Sequence, residues 1–237
     1  MKALTLDARN NLLAGTDNGL YVISPNGMVL RIIHDARSQE SLVNNIVWSL
    51  FRDRFNNIWI GTDNGMSMLS GLSFYRYTPL ADITQSGDGN CLHNIYRDSR
   101  GTMWMGGTDG LLRYDNSNGI YDNMSWFRQN SSKTPLSHNR IRSVYEDADG
   151  DIWVATDHGI NWYDRKSGQF RNFIISDKTG RYSTAWAYDL VLDSRKRLWI
   201  AAYMGGVFVI DKRRLLYSHG TVIADHHIAD GKGKLSN

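Results

Sequence analysis

The chain is short of the features that would assign it quickly. It has one cysteine, Cys91, in 237 residues, so no internal disulfide can form and a disulfide framework is excluded. Proline occurs only three times. No apolar run approaches the roughly 18 residues that a membrane helix needs, and the opening "MKALTLDARN" lacks the charged-then-apolar pattern of a signal peptide. Net charge is only +3, from 27 basic and 24 acidic residues, so neither a nucleic-acid groove nor a polybasic membrane patch is indicated. No segment carries a 3.6-residue apolar period long enough for a substantial helix.

What the sequence does have is repetition. "WIGTDNGM" at 59–66 returns as "LAGTDNGL" at 13–20, "WMGGTDGL" at 104–111, "WVATDHGI" at 153–160 and, more loosely, "WIAAYMGGV" at 199–207. Trp59, Trp104, Trp153 and Trp199 stand 45, 49 and 46 residues apart, and Leu13 stands 46 before Trp59. A period between about 20 and 50 residues marks a solenoid, propeller or array. Six residues before each of these positions lies an aspartate: Asp7, Asp53, Asp98, Asp147 and Asp193. Asn10, Asn56, Gly101, Gly150 and Lys196 follow three residues after each. Asp opening a turn that closes on Asn or Gly is turn chemistry, since the side chain caps its own backbone and the later residue tolerates positive φ.

Short β-branched and aromatic segments flank these turns: "IVWSLFR", "LHNIYR", "IRSVYE" and "YDLVL" before the Asp, and "NIWIGT", "TMWMGG", "DIWVAT" and "RLWIAA" after it. A third strand follows each Trp-containing one, and a weaker fourth is visible as "VLRII", "FYRYT", "SWFRQ" and "QFRNF". Four antiparallel strands per unit of this length make a propeller blade. The expected fold is therefore an all-β propeller of about five four-stranded blades, spanning approximately 1–40, 41–87, 88–134, 135–182 and 183–235. The closing "GKLSN" matches the "SLVNN" and "LSHN" that precede first strands, so a segment of a larger ring is expected, with a closed five-bladed ring as the alternative. An open segment would expose apolar blade faces and favour self-association or further blades.

The recurring "D-x-x-G/N-x-L/I-W-I-G-T-x-x-G-L" and the "YD" or "ID" endings resemble the two-component regulator propeller repeat. Trp59, Gly61, Thr62 and Gly65 match it in the second unit, and Trp153, Thr156 and Gly159 in the fourth. The departures are local: Leu13 replaces the first Trp, "GGTDG" shifts the Thr by one, and "AAYMGG" lengthens the last turn. The resemblance implies a non-catalytic, periplasmic sensor module of a hybrid two-component system that governs polysaccharide use.

Candidate sites divide into residues that repeat and residues that do not. Asp147, Asp149 and Asp151 alternate as in a calcium loop, but the Gly is misplaced and no twelfth-position Glu follows, so a solvated hairpin turn is expected and no metal. "GTDNG" has no following helix to make a phosphate cradle. "DSRGTMW" resembles the Asp box of sialidases, itself a fold-level turn. The repeating Trp side chains are expected to pack between blades. The seven His show no ligand spacing, and His226 and His227 are adjacent near the end of the chain.

The positions that break the repeat carry the ligand expectation. Five residues before each turn Asp stand Trp48, His93, Arg142 and Tyr188, on first strands that line a propeller's channel. The loops just before them hold Asn44, Asn45, His138, Asn139, Arg140 and Trp186. Aromatic planes beside Asn, Arg and His suit a glycan or other small ligand. The competing readings are a structural module that contacts other proteins, discriminated by aromatics on the flank rather than at the mouth, and a propeller lyase or glycoside hydrolase, which needs a carboxylate pair or a His and an acid around one cavity. No cofactor is expected.

Overall fold

The computed structural model describes residues 1–38, 41–69, 91–115, 124–131, 135–219 and 222–228. It divides into two compact units, one of Met1–Arg97 and Met103–Asp109, the other of Asp98–Thr102 and Gly110–Asn237. In the first unit, β1 (Ala3–Leu6), β2 (Leu12–Thr16), β3 (Gly19–Ile23) and β4 (Val29–Ile32) form an antiparallel meander, the first blade. β5 (Val47–Arg52), β6 (Ile58–Thr62) and β7 (Gly65–Leu69) form a second sheet in the same order, and the expected strand "FYRYT" lies outside the described residues. β8 (Leu92–Arg97) pairs with β9 (Met103–Gly107). The edge strand β5 packs beside both β1 and β8, so each first strand is an inner one.

The second unit repeats the plan. β10 (Leu111–Tyr114) pairs with β11 (Met124–Phe127), and β12 (Ile141–Glu146), β13 (Ile152–Thr156), β14 (Gly159–Asp164) and β15 (Gln169–Phe173) make a complete blade. After β16 (Ile175–Ser176) come β17 (Ala187–Leu192), β18 (Arg197–Ala202) and β19 (Gly206–Asp211), with β17 packed beside β12. The elements of this unit that escaped sequence reading include β16, α1 (Lys212–Leu216), β20 (Val222–Ile223) and β21 (Asp225–His227). β21 is the fourth strand of this blade, pairing with β19, and places His226 and His227 in a sheet; β20 pairs parallel with β16.

The Trp-bearing strands β6, β9 and β13 are buried at all five positions. A strand covered on both faces reads as a continuous apolar run, as "IWVAT" does, rather than as alternation. The Asp turns explain why Asp and Trp recur together. Asp53, Asp147 and Asp193 each accept backbone N–H bonds with Oδ1, while Oδ2 accepts the indole N–H of Trp59, Trp153 and Trp199 at 3.0, 2.9 and 2.9 Å. Where Leu13 replaces the Trp, Asp7 Oδ2 has no indole and keeps a side-chain bond from Asn11 Nδ2 at 2.7 Å, which Asn57 also makes to Asp53 at 2.9 Å. The turn closes at positive φ, as its residue types predict: 61° at Asn10, 62° at Asn56, 89° at Gly101 and 80° at Gly150.

The "GTDNG" turns are latched as well as tight. Thr62 and Thr156 donate their hydroxyls to the carbonyls of Gly65 and Gly159 at 2.7 and 3.1 Å. Gly159 adopts φ +87°, and a Cβ there would collide with the Phe173 carbonyl. Gly159→Ala is therefore expected to lower stability by about 1–3 kcal/mol, measured by denaturant unfolding, through a strained φ and a displaced strand end.

Candidate functional site

Every first strand from the second blade onward contains the same irregularity. Register slips by one between Val47 and Ser49, Leu92 and Asn94, Ile141 and Ser143, and Ala187 and Asp189. The residues caught in the slip are Trp48, His93, Arg142 and Tyr188, the positions singled out because they break the repeat. A bulge residue lies outside the ladder and its side chain is re-aimed, which frees it from the packing rules that keep its neighbours uniform. The bulges sit at the strand ends that carry the "GTDNG" turns, opposite the Asp turns.

In the first unit these side chains are consumed by one another. Trp48 Nε1 donates to Asp63 Oδ1 at 2.9 Å, its ring meets His93 edge-on at a centroid distance of 5.2 Å, and Lys2 Nζ lies 3.3 Å from its ring centre. Lys2 in turn pairs with Asp17 at 2.9 Å. The Trp48 hydrogen bond is the largest influence holding the Asp63 carboxyl below its usual range, opposed by burial. Lys2 stands five residues before Asp7, so the arithmetic that found Trp48 could also have found it. Asp63 belongs to the "WIGTDNGM" turn, which therefore positions a bulge side chain in addition to reversing the chain.

The second unit differs. Arg142 delivers Nε and Nη2 to the two oxygens of Asp157 at 2.5 and 2.9 Å, a bidentate pair that raises the guanidinium above its ordinary value. Its guanidinium lies over Tyr188 at 4.7 Å, Tyr188 stacks on Tyr203 at 5.8 Å, and Tyr203 on Trp186 at 5.2 Å. The result is a run of three aromatic rings headed by a compensated cation. Trp186, Tyr188 and Tyr203 remain 50, 43 and 50% exposed. Tyr203 was not among the expected site residues. It occupies the position that is Asp63 or Asp157 in other blades, in a turn one residue longer, with Ala202 opposite Gly206 where Thr62 is opposite Gly65. The extra length is accommodated by Met204 at φ 52°.

The expected loop residues act mostly as latches. Asn45 accepts from Gly19 N with its carbonyl at 2.6 Å and from His34 N with Oδ1 at 2.7 Å. Asn139 repeats this with Gly110 N and Gln129 N, both at 2.7 Å. Asn44 Oδ1 accepts from Ile46 N and His138 Nδ1 from Arg140 N, at 2.8 and 3.0 Å. Arg140 lies 3.9 Å from Asp157. A cavity of about 720 Å³ opens elsewhere in the second unit, lined by Gln129, Ser137, His158, Asn172 and Phe173 among others. Two of its polar groups are tied internally: Ser137 Oγ bonds Thr156 Oγ1 at 2.9 Å, and Asn172 Nδ2 donates to the Pro135 carbonyl at 3.5 Å.

The acidic turn "DADGD" proves not to be a solvated hairpin. Lys212 Nζ stands 2.6, 2.9 and 2.6 Å from carboxylate oxygens of Asp147, Asp149 and Asp151. The cation suggested by alternating carboxylates is thus a lysine ammonium from 61 positions beyond the last of them. Burial lowers the lysine's proton affinity, but the three carboxylates prevail and hold it above its ordinary value. Among the described residues, no cluster of His, Cys, Asp and Glu could hold a metal ion.

The two component regulator propeller model matches residues 41–64 and 135–158, the stretches that run from the loop into the first strand, Asp turn, Trp strand and "TD" of the second and fourth blades. The chain carries two component regulator propeller repeats. These repeats also align with solved structures. The extracellular domain of a hybrid two-component system from B. thetaiotaomicron is 43% identical, over 98% of this chain and 32% of that one, with a TM-score of 0.62. A second such domain from the same organism is 16% identical over 90% and 27%, TM-score 0.63, and a virginiamycin B lyase from Staphylococcus aureus is 12% identical over 90% and 67%, TM-score 0.60. The last two show the propeller fold alone. The chain spans 32 and 27% of the length of the two-component sensor domains it matches. No curated protein matches the chain. Among the described residues, no helix is long and apolar enough to cross a membrane.

Proposed function

We propose that the chain is a non-catalytic part of a periplasmic sensor of a hybrid two-component system, and that it recognises a carbohydrate on the ring run Trp186, Tyr203 and Tyr188. One observation carries this reading: the aromatics that break the repeat gather at the inner-strand end beside the "GTDNG" turns rather than on a sheet flank. Exposed aromatic planes beside polar groups suit sugar rings, which present an apolar face and a rim of hydroxyls. Ligand would favour one arrangement of the sensor over another and so bias the kinase beyond the membrane. Against catalysis, Asp157 is engaged by Arg142 and Asp63 by Trp48, leaving neither carboxylate placed as a general acid or base.

Calorimetric titration of the chain with a panel of plant and host oligosaccharides tests the reading. Trp186→Ala and Tyr203→Ala are each expected to weaken binding about tenfold, the loss of one stacking contact. Trp48→Ala is expected to leave affinity unchanged, because Lys2 already covers that ring. No binding by the wild-type chain to any member of the panel would count against a carbohydrate site.

A second reading is supported at the first blade. Leu12 is 36% exposed, whereas its counterparts Ile58, Ile152 and Leu198 are 1, 0 and 0% exposed, and Leu4 and Leu6 lie bare nearby. Such a face favours a neighbouring blade or a second copy. Light scattering tests it, since a monomer whose mass does not rise with concentration would oppose self-association.

A further inference from the structure

Resting on the carbohydrate reading above, we infer that the ring run selects neutral pyranose chains over uronic or sulfated ones. The three rings offer flat apolar surface, and the cation and anion at their head are already matched. Arg142 commits two donors to Asp157 in the planar geometry that a ligand carboxylate would otherwise take. Asp157 is only 12% exposed along its side chain, so its negative charge is held in place beside the rings. An incoming sugar carboxylate would have to displace Asp157 from Arg142 while approaching it, leaving the mostly buried Asp157 with only its 3.9 Å contact to Arg140. Arg140 faces the same carboxylate from 3.9 Å, and it is 46% exposed, where water and salt screen whatever it could offer a second anion.

A neutral sugar meets no such obstacle. Its C–H face can lie on Trp186 or Tyr203, and its hydroxyls can use the guanidinium N–H groups and carboxylate lone pairs that the Arg142–Asp157 pair leaves over. The lengthened turn is what makes the platform. The second and fourth blades place an Asp at the Tyr203 position, and there it binds the bulge residue, Asp63 taking Trp48 and Asp157 taking Arg142. Here Tyr203 stacks on the bulge residue Tyr188 and extends the apolar run to Trp186.

The experiment compares galacto-, xylo- and cello-oligosaccharides with oligogalacturonates and sulfated disaccharides, using the 237-residue chain at low and high salt. The expected result is that one neutral series binds at least tenfold more tightly than any acidic one, with affinity unmoved by salt. Asp157→Asn, verified as folded by its melting curve, should free Arg142 and raise acidic-sugar affinity at least tenfold. Tighter acidic binding by the wild-type chain that weakens with salt would overturn the neutral selectivity while leaving the carbohydrate site standing. Failure of every sugar to bind would overturn both. If Asp157→Asn folds and gains no acidic binding, charge compensation is not the selecting device and the inference falls.

Discussion

Lys212→Met is expected to cost about 2–4 kcal/mol of folding stability, because it removes the buried ammonium that the fully buried Asp147 shares with the part-exposed Asp149 and Asp151, the latter two being screened by solvent. Methionine retains most of the stem's packing, so the loss reports the charge. The pH dependence gives the sign. Lys212 is held above its ordinary value, so its contribution is present below the unfolded lysine value of about 10.4 and is lost only as pH rises through the still higher folded value. Asp149 is held below its ordinary value, chiefly by Lys196 and then by Lys212, so its contribution is present above the unfolded value of about 3.9 and is lost as pH falls through the folded one. In the variant Asp149 loses one of the two ammonium groups that hold its carboxyl down, so it takes up a proton at higher pH than in the wild type. The stability gap between wild type and variant, from denaturant unfolding, should therefore narrow as pH falls from 7 toward about 4. A gap that is constant across that range would mean that the ammonium matters only as filler.

Trp153→Ala is expected to cost about 3–5 kcal/mol, the usual loss for deleting a large buried aromatic. Trp153 is fully buried in a strand covered on both faces, so the cavity has little means of collapsing. Trp153→Phe separates the two roles of the side chain. It keeps much of the apolar area but removes the 2.9 Å indole bond to Asp147, and should cost about 1–3 kcal/mol. Because Asp147 also holds Lys212, the double variant Trp153→Phe, Lys212→Met should lose a different amount from the sum of the single losses. Strict additivity would show that the turn, the indole and the lysine do not form one network. For a domain whose net stability is about 5–15 kcal/mol, either large loss threatens folding at ordinary temperatures.

The repeat made most of the architecture legible. Asp and Trp at fixed spacing, the positive-φ residue three after each Asp, and the buried Trp strands all follow from local chemistry that recurs with the period. What escaped lay where the period fails. β21 is "DHH", three polar residues with no alternation, placed by pairing with β19 and by the contacts of the His226 ring with Phe208 and Tyr182. α1 is five residues long, too short to display a helical period, and is begun by Asp211 capping Arg214 N. Lys212 belongs with Asp147, Asp149 and Asp151 through tertiary structure alone, so the acidic turn read as solvated.

For the site, arithmetic located the bulge positions but could not tell an occupied ring from an open one. Trp48 and Tyr188 are equivalent in sequence. Lys2 covers the first, while the second continues into Tyr203 and Trp186. That difference arises in partner side chains contributed by neighbouring turns, and only the lengthened "AAYMGG" hinted at it. Asn45 and Asn139 looked like free polar loop residues because their backbone partners, Gly19 and Gly110, precede them by two strands and a loop.

Hydrogen exchange of the chain with and without saturating neutral oligosaccharide tests the central claim most directly, that recognition resides where the fifth blade breaks the repeat. New protection is expected at residues 186–189 and 203–206, with residues 44–48 and the cavity around Asn172 unchanged. Protection confined to the Trp48 region or to that cavity, with the Tyr203 turn unaffected, would contradict it.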